Sequence, residues 1–309
     1  MKGIELRSMQ PTDRLELAEL IYLSTNTLYQ SHGRPPVLLG GPETGALFFD
    51  VYEALDADNG VVAVSTFSGR LVGSCFYHPR PTHVSLGILN VHPNYFGRGV
   101  ARALVQYIID LAQRQQKSVR LVSSASNLDS FSLYNRAGFV PQVIFQDQLV
   151  TVPAEGLSRR TAGDDKVRSA TLADTSAMDR LEKELVGISR EQDYRYFLDN
   201  REGFWHVFVY PDDHGGLNGF LTALTHPSCT TLGPGLARTP EQAAALILIA
   251  LNQCRGRTVL LLVPAQCSSL VQQTYQWGAT NCEIHFSQVL GPCPPVRGIL
   301  MPTFLPESG

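Results

Sequence analysis

Residues 1–150 alternate between two hydrophobic periods. Ile4–Arg7 is a short run fit for a strand. Thr12 or Asp13 can then cap a stretch whose apolar positions Leu15, Leu17, Leu20, Ile21 and Leu28 suit a helix. Ala46–Leu55 predicts a second helix. Val61–Phe67 and Leu71–Tyr77 are apolar runs separated by Ser68-Gly69-Arg70, which predicts a hairpin. Val84–Val91 predicts another strand, ended by His92-Pro93. Val100–Gln113 sets Val100, Leu104, Ile108, Leu111 and Ala112 at helical spacing. A strand at Val119–Val122, a helix at Leu128–Ala137 stopped by Gly138, and a strand at Val140–Val150 complete this half.

Residues 151–166 have no period and carry Pro153, Gly156 and Gly163, as a linker would. From 167 the plan starts again. Arg7-Ser8 with Asp13 is echoed by Arg168-Ser169 with Asp174. Helices are expected at Met178–Leu185 and Tyr194–Asp199, and strands at Trp205–Tyr210 and Gly219–Thr225. Thr239-Pro240-Glu241 starts a helix running to about Gln253: a cap, a proline at the first helical position, then an acid near the positive end. Val259–Val263, Ser269–Gln276 and Ile284–Leu290 then read as strand, helix and strand, with Gly278 after the helix as Gly138 follows its counterpart. The expected organisation is a duplication: residues 1–150, a linker at 151–166, and residues 167–309.

Composition narrows the class. With 44% hydrophobic and 17% charged residues in 309, the chain can build two cores. A net charge of -3 gives no footprint for nucleic acid. No stretch approaches the ~20 apolar residues of a membrane span, and AAALILIALNQC fits a buried helix better. Charges stand where a signal peptide needs an apolar run. None of the six cysteines forms a C-x-x-C pair, so neither a zinc spacing nor a dense disulfide framework is indicated; reduced buried thiols and a cytoplasmic location are the expectation.

The stretch LGILNVHPNYFGRGVARAL carries the chemistry. A strand ends, the chain turns, and a helix begins near Gly99. A helix start offers unpaired N–H groups and the positive end of the dipole, which suits a phosphate. Gly97 and Gly99 let the backbone approach an anion, Ala101 is nearly as small, and Arg98 and Arg102 add charge. Alone, such a turn is as often purely structural.

Its flanks resemble the pyrophosphate loop of the GCN5-related N-acetyltransferase (GNAT) family, [Q/R]-x-x-G-x-[G/A]: Gly99 and Ala101 match, while Phe96 replaces the usual Gln or Arg. NLDSFSLYNRAGF at 127–139 resembles a second family stretch, N-x-x-A-x-x-L-Y-x-x-x-G-F, with Asn127, Leu133, Tyr134, Gly138 and Phe139 in place and Ser130 replacing alanine. The resemblance implies an α/β (α+β) fold of two tandem GNAT-like domains, each a mixed, mainly antiparallel sheet flanked by helices. It implies acetyl-CoA as co-substrate, with no metal. Gly97, Arg98, Gly99, Val100, Ala101 and Arg102 would hold the pyrophosphate. Leu89 and Val91, on a strand splayed from its neighbour after Val119, would pair with the pantetheine. Asn127 and Ser130 would line the cofactor arm, and Tyr134 would protonate the leaving thiolate. A backbone N–H at or near Val91 would polarise the carbonyl.

The strand before the turn lacks an acid. Alternation places His83, Ser85, Gly87, Leu89 and Val91 on one face, and His83, Ser85, Asn90 and His92 are the polar choices for a base, with ordered water as an alternative. The second half is expected to be degenerate: LGPGLARTPEQAAAL opens its helix without G-x-G or G-x-A, and Thr274 and Cys267 stand where Tyr134 and Asn127 would be. It would shape the substrate cleft or replace a homodimer partner. The resemblance also implies that the first helices and their loop frame the acceptor site, where Asn26, Tyr29, Gln30, His32 and Arg34, with Tyr22 and Asp50, would lie; the expected acceptor is an amine of a small molecule or peptide terminus. A non-catalytic acyl-CoA sensor or scaffold is the alternative, and the oligomeric state is a monomer (an internal pseudo-dimer) or a homodimer.

Overall fold

The computed structural model describes residues 3–306, so 1–2 and 307–309, the outer ends of the two expected units, lie outside the described residues. The first half runs β1 (Ile4–Ser8), α1 (Arg14–Ser31), α2 (Ala46–Asp56), β2 (Gly60–Ser65), β3 (Leu71–Pro79), β4 (His83–Val91), α3 (Val100–Arg114), β5 (Ser118–Ser124), α4 (Leu128–Arg136) and β6 (Val140–Thr151). The second runs β7 (Arg168–Ser169), α5 (Thr175–Val186), α6 (Glu191–Asp199), β8 (Trp205–Pro211), β9 (Leu217–His226), β10 (Cys229–Ala237), α7 (Pro240–Gln253), β11 (Thr258–Pro264), α8 (Ser268–Gln276), β12 (Thr280–Leu290) and β13 (Ile299–Met301).

Both halves open with the same device. The Arg7 guanidinium donates to both carboxylate oxygens of Asp13 (2.7 and 2.8 Å), which also accepts the Gln10 N–H (2.8 Å). Arg168 grips Asp174 in the same way (2.9 and 2.8 Å), and Asp174 accepts the Thr171 N–H (2.8 Å). Each pair fixes the angle between the first strand and the helix that follows. The α7 start also behaves as its sequence requires: Thr239 and Gln242 form a reciprocal capping box.

The strands form one sheet in the order β1-β2-β3-β4-β5-β12-β6-β11-β10-β9-β8-β7, with β13 on β10. Its pairs are antiparallel except β4·β5 and β10·β11. The last strand of each half crosses into the other: β12 lies between β5 and β6, and β6 between β12 and β11. When Gly138 is set against Gly278, Phe145 and His285 are counterparts, and these two residues are Cα partners in the β6·β12 ladder. On that alignment Pro264 answers to Ser124; accordingly Pro264 pairs with Phe145 as Ser124 pairs with His285. A local pseudo-twofold axis therefore passes between Phe145 and His285. One apolar core spans both halves, joining Leu17, Ile21 and Phe76 to Leu181, Phe197 and Trp205.

The structure corrects three readings. β10 covers a stretch for which the sequence predicts no element; Gly233, Pro234 and Gly235 sit at a bulge in it, where proline is tolerated. β13 was not foreseen. In β4, strict alternation fails, because Gly87 and Ile88 together oppose Phe76 in a second bulge. Val84, Leu86, Leu89 and Val91 consequently pack on the α3 side, and Ile88 joins the α1 side with Asn90, which donates to Ser24 (2.7 Å).

Candidate active site

Strands β4 and β5 pair only at His83↔Ser118, Val84↔Val119 and Ser85↔Arg120. Beyond Ser85 they separate, and among the described residues Leu86–Val91 have no strand partner on that side. The bulge turns β4 at the point where the gap opens. Glycine fits closely there: a Cβ on Gly87 would lie 3.1 Å from the Phe76 carbonyl and 3.2 Å from the Tyr52 ring, tighter than ordinary contact.

Past Val91 the chain makes a short 3-10 turn at Pro93–Tyr95, and the His92 ring accepts the Asn94 N–H (3.2 Å). Gly97 and Gly99 are both left-handed (φ 72 and 82), so each position calls for glycine. No atom lies within 4 Å of a Cβ built on Gly97. Gly99 is the N-cap of α3, whose first helical bond runs from the Ala103 N–H to the Gly99 carbonyl (3.1 Å). The amides of Val100, Ala101 and Arg102 precede that bond and make up the positive end of the helix. Arg98 stacks on Tyr95 (4.9 Å), and both Arg98 and Arg102 are exposed. Phe96, 56% exposed, offers no donor.

Asn127 caps α4, accepting the Ser130 N–H (3.0 Å). Tyr134, one α4 turn on, is buried beside Phe139 (ring centroids 5.6 Å apart) in the core under α3. His83 stands at the closed end of the β4–β5 pair, away from the gap; burial, then Arg120, Arg190 and Arg80, hold its pKa well below the usual histidine range. His83 is thus kept neutral in a structural position. Of the acceptor-side residues, Asn26 braces the α1–α2 loop through Val37 and Leu38 (3.0 Å each), His32 bonds the Leu28 carbonyl (2.8 Å), and Asp50 pairs with Arg14 (2.6 Å). Tyr29 and Arg34 both meet Glu283 (2.8 and 3.3 Å).

Glu283 arrives on β12 from the second half. It also accepts from Ser126 (2.7 Å) and, at very short range, from Ser124 at the end of β5. Across the ladder lies Asp147, whose carboxylate is 2.8 Å from His285 Nδ1. Potential ligand atoms of Asp147, Glu283 and His285 lie within 4.8 Å of one another, a spacing a metal ion would accept. Burial opposes ionisation of Glu283, but the hydroxyls of Ser124 and Ser126, with His285 and Tyr29, outweigh it and hold its pKa below the usual range. For Asp147 burial prevails over His285, and its pKa is raised. Sequence reasoning missed this trio because its members are far apart in the chain. The available signal was an acid on β12 where the repeat has Val143 on β6.

The second half closes its own gap. β10 meets β11 only at Thr231↔Leu260. β13 then pairs with Gly235, Leu236 and Ala237. These three are the counterparts of Leu89, Asn90 and Val91, because the two bulges place Phe76 against Thr222 and Gly73 against Gly219. The chain's own tail lies where the first half has an open slot.

Two family models match this arrangement: the acetyltransferase (GNAT) family over residues 25–139 and the acetyltransferase (GNAT) domain over 178–285. The chain belongs to the GNAT family. It is 35% identical over 72 residues to the UPF0157 protein YqkA of Bacillus subtilis (strain 168), covering 23% of this chain and 21% of that protein. The chain thus spans about a fifth of that relative's length. Among solved structures, a Pyrococcus horikoshii protein has 15% identity, a TM-score of 0.74 and coverage of 99% and 96% of the two chains. A GCN5-related N-acetyltransferase from Sphaerobacter thermophilus has 18% identity, a TM-score of 0.66 and coverage of 96% and 98%. At these identities the likeness concerns the tandem GNAT fold. Among the described residues no helix is long and apolar enough to cross a membrane. All six cysteines are free thiols; Cys75 and Cys254 are buried, and the other four are half-exposed rather than buried as expected.

Proposed function

We propose that the first half, residues 1–150, binds acetyl-CoA and transfers its acetyl group directly to a primary amine, while residues 167–309, joined through 151–166, form a degenerate GNAT half that binds no cofactor. The observation that carries this reading is the contrast between the two slots. An extended backbone, Ile299–Met301, docks along β10 in the second half. The equivalent edge of β4, at Leu89 and Val91, is free for an extended amide-bearing arm such as pantetheine.

The residues fit the cofactor. Gly97, Arg98, Gly99, Val100, Ala101 and Arg102 present left-handed glycines, a helix start and two exposed cations to a pyrophosphate. Because that recognition uses backbone amides, Phe96 in place of Gln or Arg is tolerated. Asn127 and Ser130 hold the start of α4 along the arm. Tyr134 acts as the acid that protonates the departing thiolate. An N–H of the unpaired β4 stretch, near Val91, polarises the thioester carbonyl. The chain acts in the cytoplasm, and with β6 and β12 exchanged it is its own pseudo-dimer.

The test is calorimetric titration of the full-length protein with acetyl-CoA. One site per chain, weakened by changes at Gly99, supports the reading. Two sites, or none in a folded protein, overturns it. The full chain is required because each half contributes a strand to the other.

A further inference from the structure

The same strand exchange is built twice about the Phe145–His285 axis, and the two copies differ in polarity. On the side of the open slot, β12 and β6 carry Glu283, His285 and Asp147. At the counterpart positions on the other side stand Val143, Phe145 and Ser287. Burying carboxylates opposes folding unless they are well paired. An almost apolar solution to the same architecture exists in the same molecule, so the fold does not require these charges. They also lack full compensation: Asp147, 2% exposed, keeps Oδ1 without a hydrogen-bond partner among the described residues. Asn90 Oδ1, on the α1 side of the unpaired β4 stretch, is likewise buried and unpartnered.

We propose that Glu283, backed by Asp147 and His285, is the acceptor subsite of the first half's cleft, that it receives a primary ammonium, and that the active site is therefore completed by a strand of the degenerate half. The inference rests on the acetyl-CoA reading above. Three features select an organic cation. Glu283 bridges the rim of the slot at Ser124 and Ser126 to Tyr29 and Arg34 at the end of α1. Its one cationic partner with solvent access is the Arg34 guanidinium, 38% exposed, on the loop after α1. An ammonium entering past that loop replaces Arg34 at the carboxylate, where a carboxylate oxygen of Asp147 lies within 4.8 Å.

The step balances. The bound ammonium gives one proton to Glu283, which releases it to solvent. The nitrogen lone pair forms a bond to the thioester carbonyl carbon, and the C–S bond breaks. The thiolate leaves as a thiol with a proton from Tyr134, which regains one from the new amide nitrogen.

The experiment uses full-length protein, acetyl-CoA, and spermidine, lysine and a peptide with a free amino terminus as acceptors. Wild type is expected to acetylate a primary amine. Glu283→Gln should keep its acetyl-CoA Kd within about twofold and lose at least about a hundredfold in kcat/KM for the amine. Arg34→Ala, which changes a half-buried residue outside the trio, should lower the amine KM by about two- to fivefold by removing a competing cation. Retention of amine kcat/KM in Glu283→Gln overturns the proposal, as does an unchanged or raised KM in Arg34→Ala. Transfer to none of the amines by a protein that binds acetyl-CoA also overturns it and leaves the cofactor reading standing. Activity lost on chelation and restored by a divalent ion assigns the trio to a metal instead. Failure of wild type to bind acetyl-CoA removes both readings.

Discussion

His285 on β12 lies across the ladder from Phe145 on β6, its own counterpart in the repeated unit. The closest contact between the halves is thus a swap of equivalent strands. Cut within 151–166, the two fragments are each expected to be unfolded or aggregated alone and to form a stable one-to-one complex when refolded together. Circular dichroism and size-exclusion chromatography check this. Two independently folded fragments would contradict the exchange.

Gly99 holds φ at 82 at the start of α3. A side chain in that conformation costs about 1–2 kcal/mol. Gly99→Val is expected to lower Tm by a few degrees and to weaken acetyl-CoA at least tenfold, as the strained turn moves the amides of Val100 and Ala101. Calorimetry beside thermal melting separates the two effects.

Tyr134→Phe removes the proposed acid and keeps the ring that packs on Phe139. Turnover should fall by about a hundredfold or more with acetyl-CoA affinity nearly unchanged. Unchanged turnover assigns Tyr134 to packing alone and moves thiolate protonation to solvent.

Leu300, 3% exposed, anchors the tail strand in the second slot. Leu300→Ala should destabilise the protein by about 2–5 kcal/mol, and denaturant unfolding measures it. Acetyl-CoA stoichiometry should stay at one per chain, because the α7 start with Pro240 has neither glycine turn nor a full set of amides.

The paired caps set an acid limit. Burial raises the Asp13 pKa, but bonds from Arg7 and the Gln10 N–H prevail and lower it; the Arg168 bond lowers that of Asp174. A depressed carboxylate stabilises the fold above its unfolded pKa, about 3.9, and that stability is lost as pH falls through the folded value. Tm should therefore drop as pH falls below about 4, and a double Asp13→Asn, Asp174→Asn variant should show a shallower drop. Glu283 adds to this slope. Asp147, with its pKa raised, opposes it, since its contribution is present at low pH and is lost as pH rises through its folded value.

Most elements were legible because helices and strands leave periods in the chain: α3 from Val100 to Ala112, α7 from its Thr239 cap, the hairpin at Gly69. The Arg7–Asp13 and Arg168–Asp174 echo disclosed the duplication, since the same fork is built from the same spacing. The slot on β4 was expected only through the family resemblance that Gly99, Ala101 and the 127–139 stretch carry. Glu283 was not, because a strand's partners across a long connection are set by packing of the whole sheet, and local pattern carries no record of them. The β4 bulge at Gly87–Ile88 was equally hidden: one extra residue reverses which face each side chain takes, and the apolar run reads the same either way.

The exchanged strands also bear on the order in which the chain is made. A ribosome delivers β5 well before Thr280–Leu290, so the edge that β12 will cover waits unpaired while the intervening chain is made. Such an edge is a template for pairing with other chains. The nascent first half must carry its unfinished sheet until β12, and after it β13, emerge to cover the two edges.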